Sequence, residues 1–488
     1  MGFAYRSIVT EEPGETAILV DAGPPVPLTG PPVPPTGPPT RPATHRRRRG
    51  LGVRLGLGLA GVLTLVGGPG AMAVDRGWWP AHDSALTVHP SAAAKQPAGA
   101  GVVQAPAARA HSPHPGDPAV TRHAWARAQI QTVLDQQAEA LLRGDQTGFL
   151  APADPAASAL LDTLRRRFTA LRAMNIAGWT ETLAADPSPV DGGWQASVKI
   201  GYCFGEPGCT PVAIPVPTRW AETGGPPRLV EFGASGGPDL GPRPWEVTEL
   251  RVAIGSRVVV AAPPRYAGRV PALLEAAEEA AAVTDRYARW ATPPGRYLVF
   301  LAGPDEWTSW YGVHQADWVA GYAMPITERD TEIVLNGQRV NGGEVVDTLR
   351  HEFTHVVALA GVTRDYSGQW WLVEGIAEYV RMVGRPLRDY ELLNASRRYV
   401  RQGNPTDLAS LAEPPADAST EDASARYGVA FLTVRRLAER FGEDKMLQFF
   451  EAVVRQGAPA ADVSTTIFGT DWAEIIHDCA AYVKRNLD

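Results

Sequence analysis

Residues 344–380 read EVVDTLRHEFTHVVALAGVTRDYSGQWWLVEGIAEYV, and the C-terminal half of the chain is built around this stretch. Val346, Leu349, Phe353, Val356 and Ala360 recur close to the 3.6-residue period, which predicts a helix from 344 to about 360 with these side chains on its buried face. His351 and His355 stand one turn apart, so their imidazoles leave the helix together. Two such nitrogens can reach one Zn2+ at about 2.0–2.1 Å. Glu352 lies beside the first of them and points past the metal, where it can accept a proton from a water. WWLVEGIAEYV predicts a second helix after the turn GVTRDYSGQ, and its Glu374 follows His355 by eighteen residues, 356–373. Two helices joined by a turn can carry that carboxylate to a third ligand position. Two histidines and one glutamate leave a fourth position open, as catalytic zinc requires, whereas structural zinc is closed, usually by cysteines, and none is near.

HEFTH, eighteen residues, then the glutamate of WLVEGIAEY resembles the gluzincin metallopeptidases, and more specifically their peptidase MA-like branch, over roughly residues 265–488. The resemblance implies one Zn2+ ion, with His351, His355 and Glu374 as ligands and Glu352 as general base. It also implies that Glu378, one turn after Glu374, hydrogen-bonds a ligand histidine and fixes its tautomer. Tyr427, in SARYGVAFLTVRRLAERFG, matches a tyrosine whose hydroxyl stabilises the oxyanion. The strand TEIVLN matches a sheet edge lining the cleft, with Thr331, Glu332, Ile333 and Val334 pairing with an extended peptide by β-augmentation. Plainer roles stand beside these: a solvated carboxylate, a core-edge aromatic, a strand that only packs. The related aminopeptidases carry a GxMEN-type segment whose acid grips the substrate amine. The nearest stretch here, VAGYAMP at 319–325, has no acid, so exopeptidase specificity is unsupported. Trp310 and His314 either line the cleft or pack their loop.

The chain has 488 residues, length for about three units at roughly 150 each. A net charge of -7 with no basic stripe argues against nucleic acid as the main partner. Heavy use of Ala, Pro, Gly and Arg is the bias of a GC-rich, actinobacterial-type genome. Of three cysteines, Cys203 and Cys209 bracket the turn FGEPG. They either close a small loop in an oxidising compartment or remain free thiols. Cys479 has no evident partner.

Residues 1–50 form a Pro-rich segment expected to be disordered, ending in the four arginines 46–49. Residues 55–74, LGLGLAGVLTLVGGPGAMAV, carry no charge and match the bilayer core in length. The arginines precede this span, so residues 51–74 read as a transmembrane helix with the N-terminus cytoplasmic and the remainder outside the cell. A signal sequence cleaved near Ala71-Met72-Ala73, or a buried soluble helix, are the other readings. Residues 75–118 read as a flexible linker.

Two helices are predicted next, on Ile130, Val133, Leu134, Leu141 and Leu142, then on Leu160, Leu161, Leu164, Phe168 and Leu171. Alternation at Trp194, Ala196, Val198, Ile200 and Tyr202 predicts a half-buried strand, with further strand-like runs at 211–220, 228–233 and 246–262. This order, with the segment LLRGDQTGFLAP, resembles the NTF2-like cone fold, and implies a small α+β domain at 119–262 that either packs as a scaffold or binds a ligand, peptide or partner. The expected fold class is thus α+β and multidomain: a transmembrane helix, an NTF2-like domain and a mostly helical gluzincin domain at 265–488 with a small edge-exposed sheet. The expected function is a membrane-anchored, extracytoplasmic zinc metallopeptidase acting on peptides or proteins. The alternatives are a catalytically weak surface binding module, in which the NTF2-like domain recognises a partner or ligand, and an autoinhibited protease.

Overall fold

The computed structural model describes residues 116–487 apart from 206–208, 210, 236–240, 314, 317, 318, 328 and 405–410. The Pro-rich segment, the span 51–74, most of the linker and His314 lie outside the described residues. Among the described residues no helix is long and apolar enough to cross a membrane.

Helices α1 (Ala119–Arg143), α2 (Gln146–Leu150) and α3 (Ser158–Ala173) come first. They are followed by β1 (Ile176–Leu183), β2 (Ser188–Val190), β3 (Gly193–Phe204), β4 (Val212–Ala221) and β5 (Arg228–Phe232). The strands form an antiparallel sheet in the order β1-β3-β4-β5, with β2 pairing β3. Trp194, Ala196, Val198, Ile200 and Tyr202 are all buried while their neighbours Gln195, Ser197 and Lys199 are exposed, as period-two alternation requires. Ile130, Leu134 and Leu141 of α1 and Leu160, Leu164, Phe168 and Leu171 of α3 cover the sheet's apolar face, whereas Leu142 is exposed. Cys203 and Cys209 are disulfide-bonded, and Cys479 is buried and free.

The second part contains α4 (Pro244–Val247), β6 (Arg251–Ile254), β7 (Val258–Ala262), α5 (Val270–Thr284), β8 (Tyr297–Ala302), α6 (Pro304–Ser309), β9 (Gly321–Pro325) and β10 (Thr331–Asn336). Helices α7 (Glu344–Leu359), α8 (Trp370–Arg381), α9 (Leu393–Arg401), α10 (Thr420–Phe441), α11 (Glu443–Phe450), α12 (Ala460–Phe468) and α13 (Trp472–Leu487) complete it. The fold is therefore mixed, with two sheets and a helical C-terminal region.

Two expectations need correcting. The run 246–262 does not join the first sheet. It yields α4, β6 and β7, and the two strands belong to the second sheet, ordered β6-β7-β8-β10-β9. All five residues of β7, VVVAA, are buried, and β7 pairs parallel with β8. A continuous apolar run without alternation marks a strand covered on both faces, which suits an interior place in a sheet carrying helices. The strand Thr331–Asn336 is not a sheet edge either. β10 pairs parallel with β8 on one side and antiparallel with β9 on the other, so its backbone groups are spent within the sheet. Thr331, Glu332, Ile333 and Val334 cannot take an added peptide strand there. Among the described strands the sheet ends at β6 on one side and, beyond β10, at β9, GYAMP, on the other.

A buried polar cluster joins the two sheets. Glu332 of β10 is 3% exposed and accepts hydrogen bonds from Tyr202 Oη of β3 at 3.0 Å and from Tyr311 Oη. Tyr311 reaches it from a left-handed backbone, φ 59°, a strain of about 1–3 kcal/mol that persists only where surrounding contacts over-determine it. The Arg243 guanidinium, fully buried, lies over the Tyr311 ring at 5.1 Å.

Within the first sheet, Glu181 is buried and accepts from Trp179 Nε1 at 2.8 Å. Burial raises its pKa to about 8, against that hydrogen bond and the charge of Arg167. The folded state therefore keeps a proton that the unfolded chain releases above the ordinary value of 4.5, and stability falls as pH rises from there to about 8. The slope approaches at most about 1.4 kcal/mol per pH unit. Glu181→Gln removes this dependence, so the variant's melting point should match the parent's near pH 4.5 and exceed it increasingly up to pH 8.5. A constant difference across that range would refute the assignment.

Candidate metal centre

Helix α7 is covered on nearly every side: α5 and α8 flank it, β9 lies against it, and Phe353 stacks on Tyr297 of β8 at 4.0 Å. Its buried surface is wider than the single face that periodicity marks, and it includes His351, Glu352 and His355, all 0–2% exposed. Glu374 enters from α8, also fully buried. Gly375, next in sequence, explains how α8 sits so deep: a Cβ there would stand 2.7 Å from the Ala430 carbonyl oxygen of α10. Gly428 likewise follows Tyr427, and a Cβ at that position would collide with Ser396 Oγ of α9. Each glycine lets its helix press against a neighbour beside a residue of the centre.

His351 Nε2 and His355 Nε2 lie 3.0 Å apart, and each is 3.4 Å from Glu374 Oε2. Donors bound tetrahedrally at about 2.0–2.1 Å from one centre stand roughly 3.3 Å from one another, so this triangle has the dimensions of a zinc site. The protonation states agree. Burial, and then the Arg381 charge, hold the His351 pKa well below its ordinary value. Burial, and then His351, do the same for His355. Both rings are neutral, as ligands must be. Neither oxygen of Glu374 has a hydrogen-bond partner among the described residues. Burial, then the charges of Glu352, Glu413 and Glu378, push its pKa well up. A buried carboxylate so placed fits a cation held between it and two imidazoles.

Glu378 Oε1 accepts from His351 Nδ1 at 2.7 Å, which fixes the proton on Nδ1 and leaves the Nε2 lone pair facing Glu374. Arg381, fully buried, donates to Glu378 at 3.0 and 3.3 Å and to Glu391 at 3.1 Å. Burial opposes the charge of Arg381, yet Glu378, Glu391 and Asp347 raise its pKa. The chain Glu391–Arg381–Glu378–His351 thus fixes the orientation of the His351 ring. Sequence reasoning overlooked Arg381, although a glutamate and an arginine three residues apart on one helix are neighbours. Glu378→Ala should weaken Zn2+ binding about 10–100-fold in competition with a chelator. An unchanged affinity would remove Glu378 from the site.

Tyr427 stands near His351, its ring 6.4 Å from that of His351 and 5.0 Å edge-on from Trp370. Burial first, then Glu374 and Glu413, push its hydroxyl pKa well above 10, so it stays a proton donor. Glu413, which reasoning from sequence also missed, acts electrostatically on Glu374, Tyr366 and Tyr427 alike. Gly321 at the start of β9 faces Glu352: a Cβ there would lie 3.3 Å from Glu352 Oε1. Among the described strands β9 ends the sheet, and it begins beside the candidate base. Trp310 is not in the centre; it is fully buried and donates to Thr248 Oγ1 at 2.9 Å, a packing role.

The sequence matches no protein-family model and no curated protein. Among solved structures it is similar to two of a two-domain M1 zinc metallopeptidase point mutant. The one bound to L-tryptophan is 16% identical, covering 63% of this chain and 74% of that chain with a TM-score of 0.28. The one bound to L-arginine is also 16% identical, with the same coverage and a TM-score of 0.27. Superpositions of that quality leave the assignment to rest on the residues themselves.

Proposed function

We propose that the chain is a zinc-dependent metallopeptidase of the gluzincin type. The observation that carries this reading is the buried triangle of His351 Nε2, His355 Nε2 and Glu374 Oε2, with Glu352 beside it on the same helix. When bound, Zn2+ polarises the scissile carbonyl and lowers the pKa of an attacking water to about 7. Glu352 takes the proton from that water and returns it to the leaving amine. The Tyr427 hydroxyl donates to the oxyanion of the tetrahedral intermediate. Glu378, held by Arg381, keeps His351 in the ligand tautomer. Among the described strands β9, rather than β10, ends the sheet and would offer its outer edge to an extended peptide, and it carries no acidic side chain to grip a terminal amine.

Around this centre, the chain is anchored by residues 51–74 with its N-terminus cytoplasmic and the remainder outside the cell, a reading supported by the four arginines before that span and by the Cys203–Cys209 disulfide. The first sheet with α1 and α3 is an NTF2-like domain. One observation favours the second reading, a catalytically weak binding module: the ligands and Glu352 are at most 2% exposed, so hydrolysis requires the centre to open. Chelation separates the two. Cleavage of a mixed peptide substrate should stop in the chelated protein and return on adding one equivalent of Zn2+. Cleavage that persists at full rate without metal would sink the proposal.

A further inference from the structure

A cavity of about 740 Å3 lies between the two sheets, and none of the candidate metal ligands lines it. That volume is typical of ligand sites, which span about 300–1,000 Å3. One wall comes from Phe204 at the end of β3 and the Cys203–Cys209 disulfide, the other from Trp290, Leu298 and the last turns of α7. Val356, the residue after His355, forms part of the floor.

The charge around this cavity is uneven. Arg296, Arg329 and Arg455 face it, against Asp330 and Glu332 among the described lining residues. Both carboxylates are already engaged. Glu332 accepts from Tyr202 and Tyr311, and Asp330 Oδ2 accepts from Thr327 Oγ1 at 2.7 Å. The arginines are less committed. Arg455 donates to the Ala358 and Ala360 carbonyl oxygens at 2.7 and 3.0 Å, and the Glu451 carboxylate offsets part of its charge. Among the described residues Arg296 hydrogen-bonds only through Nε, to the Gly255 carbonyl oxygen at 3.1 Å. Arg329 has no side-chain hydrogen bond or ion pair among the described residues.

We propose that this cavity is an exosite that holds an acidic stretch of the polypeptide substrate, its carboxylates on Arg296 and Arg329 and its apolar side chains against Trp290, Phe204 and Val356. The assignment rests on the peptidase reading for the choice of a polypeptide. A chain bound there lies on the same helix that carries His351 and His355. Guanidiniums favour carboxylates through paired N–H donors, and the half-apolar walls favour a peptide over a bare ion.

The test uses the full chain carrying Glu352→Gln, so that bound peptide stays intact, and reads fluorescence anisotropy of labelled hexapeptides. A peptide alternating Glu and Leu should bind at least about tenfold tighter than its Gln and Leu counterpart, and added salt should erode the difference. Arg296→Gln combined with Arg329→Gln should bring the acidic peptide down to the neutral level with an unchanged melting point. Equal affinity for the two peptides, or full binding by the double variant, overturns the proposal. Complete displacement of the peptide by millimolar inorganic phosphate overturns it too, by assigning the site to free anions. Because binding is read without turnover, the two claims fail separately. Peptide binding without hydrolysis by the parent chain sinks the peptidase reading alone, and hydrolysis without peptide binding sinks the exosite alone.

Discussion

Glu352→Gln should lower kcat for peptide hydrolysis by about 10^2–10^4-fold, the range that a positioned general base contributes. The amide has nearly the shape of the carboxylate but cannot accept the proton of the attacking water. The variant should retain its metal, because Glu352 is not part of the triangle made by His351, His355 and Glu374. Its melting point should change little, since the substitution leaves α7 packed against α5, α8 and β9. Three measurements on one preparation check this: turnover, zinc content and thermal unfolding. Loss of activity together with loss of metal would instead mark Glu352 as a ligand. Undiminished turnover would remove it from the mechanism.

The second large effect is on stability. Glu332→Ala should destabilise the fold by about 3–5 kcal/mol, because it removes the acceptor of two buried hydroxyls and one of the two carboxylates whose field offsets a buried cation. Arg243 is fully buried, and its three nitrogens have no hydrogen-bond partner among the described residues, so Glu332 and Glu246 balance its charge through space. The hydroxyls of Tyr202 and Tyr311 lose their acceptor in the same step. Tyr202 belongs to the first sheet and Glu332 to the second, so the cost falls on the junction between them. Chemical unfolding should show the midpoint falling, with Glu332→Gln, which keeps the acceptor oxygen, less affected. A loss below about 1 kcal/mol for Glu332→Ala would show that the cluster is not what joins the sheets.

Residues close in sequence were the legible ones. His351 and His355 converge because four residues make about one helical turn, and Glu378 meets His351 because it lies one turn past Glu374. Strand order is different information. Whether Thr331–Asn336 sits at an edge depends on where the chain has placed β9, and no pattern inside TEIVLN encodes that. The run 246–262 carried a usable signal, since VVVAA lacks the alternation of Trp194–Tyr202, yet proximity in sequence argued for the wrong sheet. Arg381 was overlooked for a third reason. An arginine on a helix is ordinarily solvated, and only the packing of α8 buries this one against Glu378 and Glu391. The roles of Gly375 and Gly428 likewise become visible only when the helices they touch are in place.

The central claim is that two imidazoles and one carboxylate hold a single zinc ion. X-ray absorption at the zinc edge of the purified full chain tests it most directly. The account predicts one zinc per chain, nitrogen and oxygen neighbours at about 2.0–2.1 Å, no sulfur, and outer scattering from two imidazoles that drops to one in His355→Ala. Sulfur ligation, a coordination shell without imidazole, or a protein that takes up no zinc would contradict it.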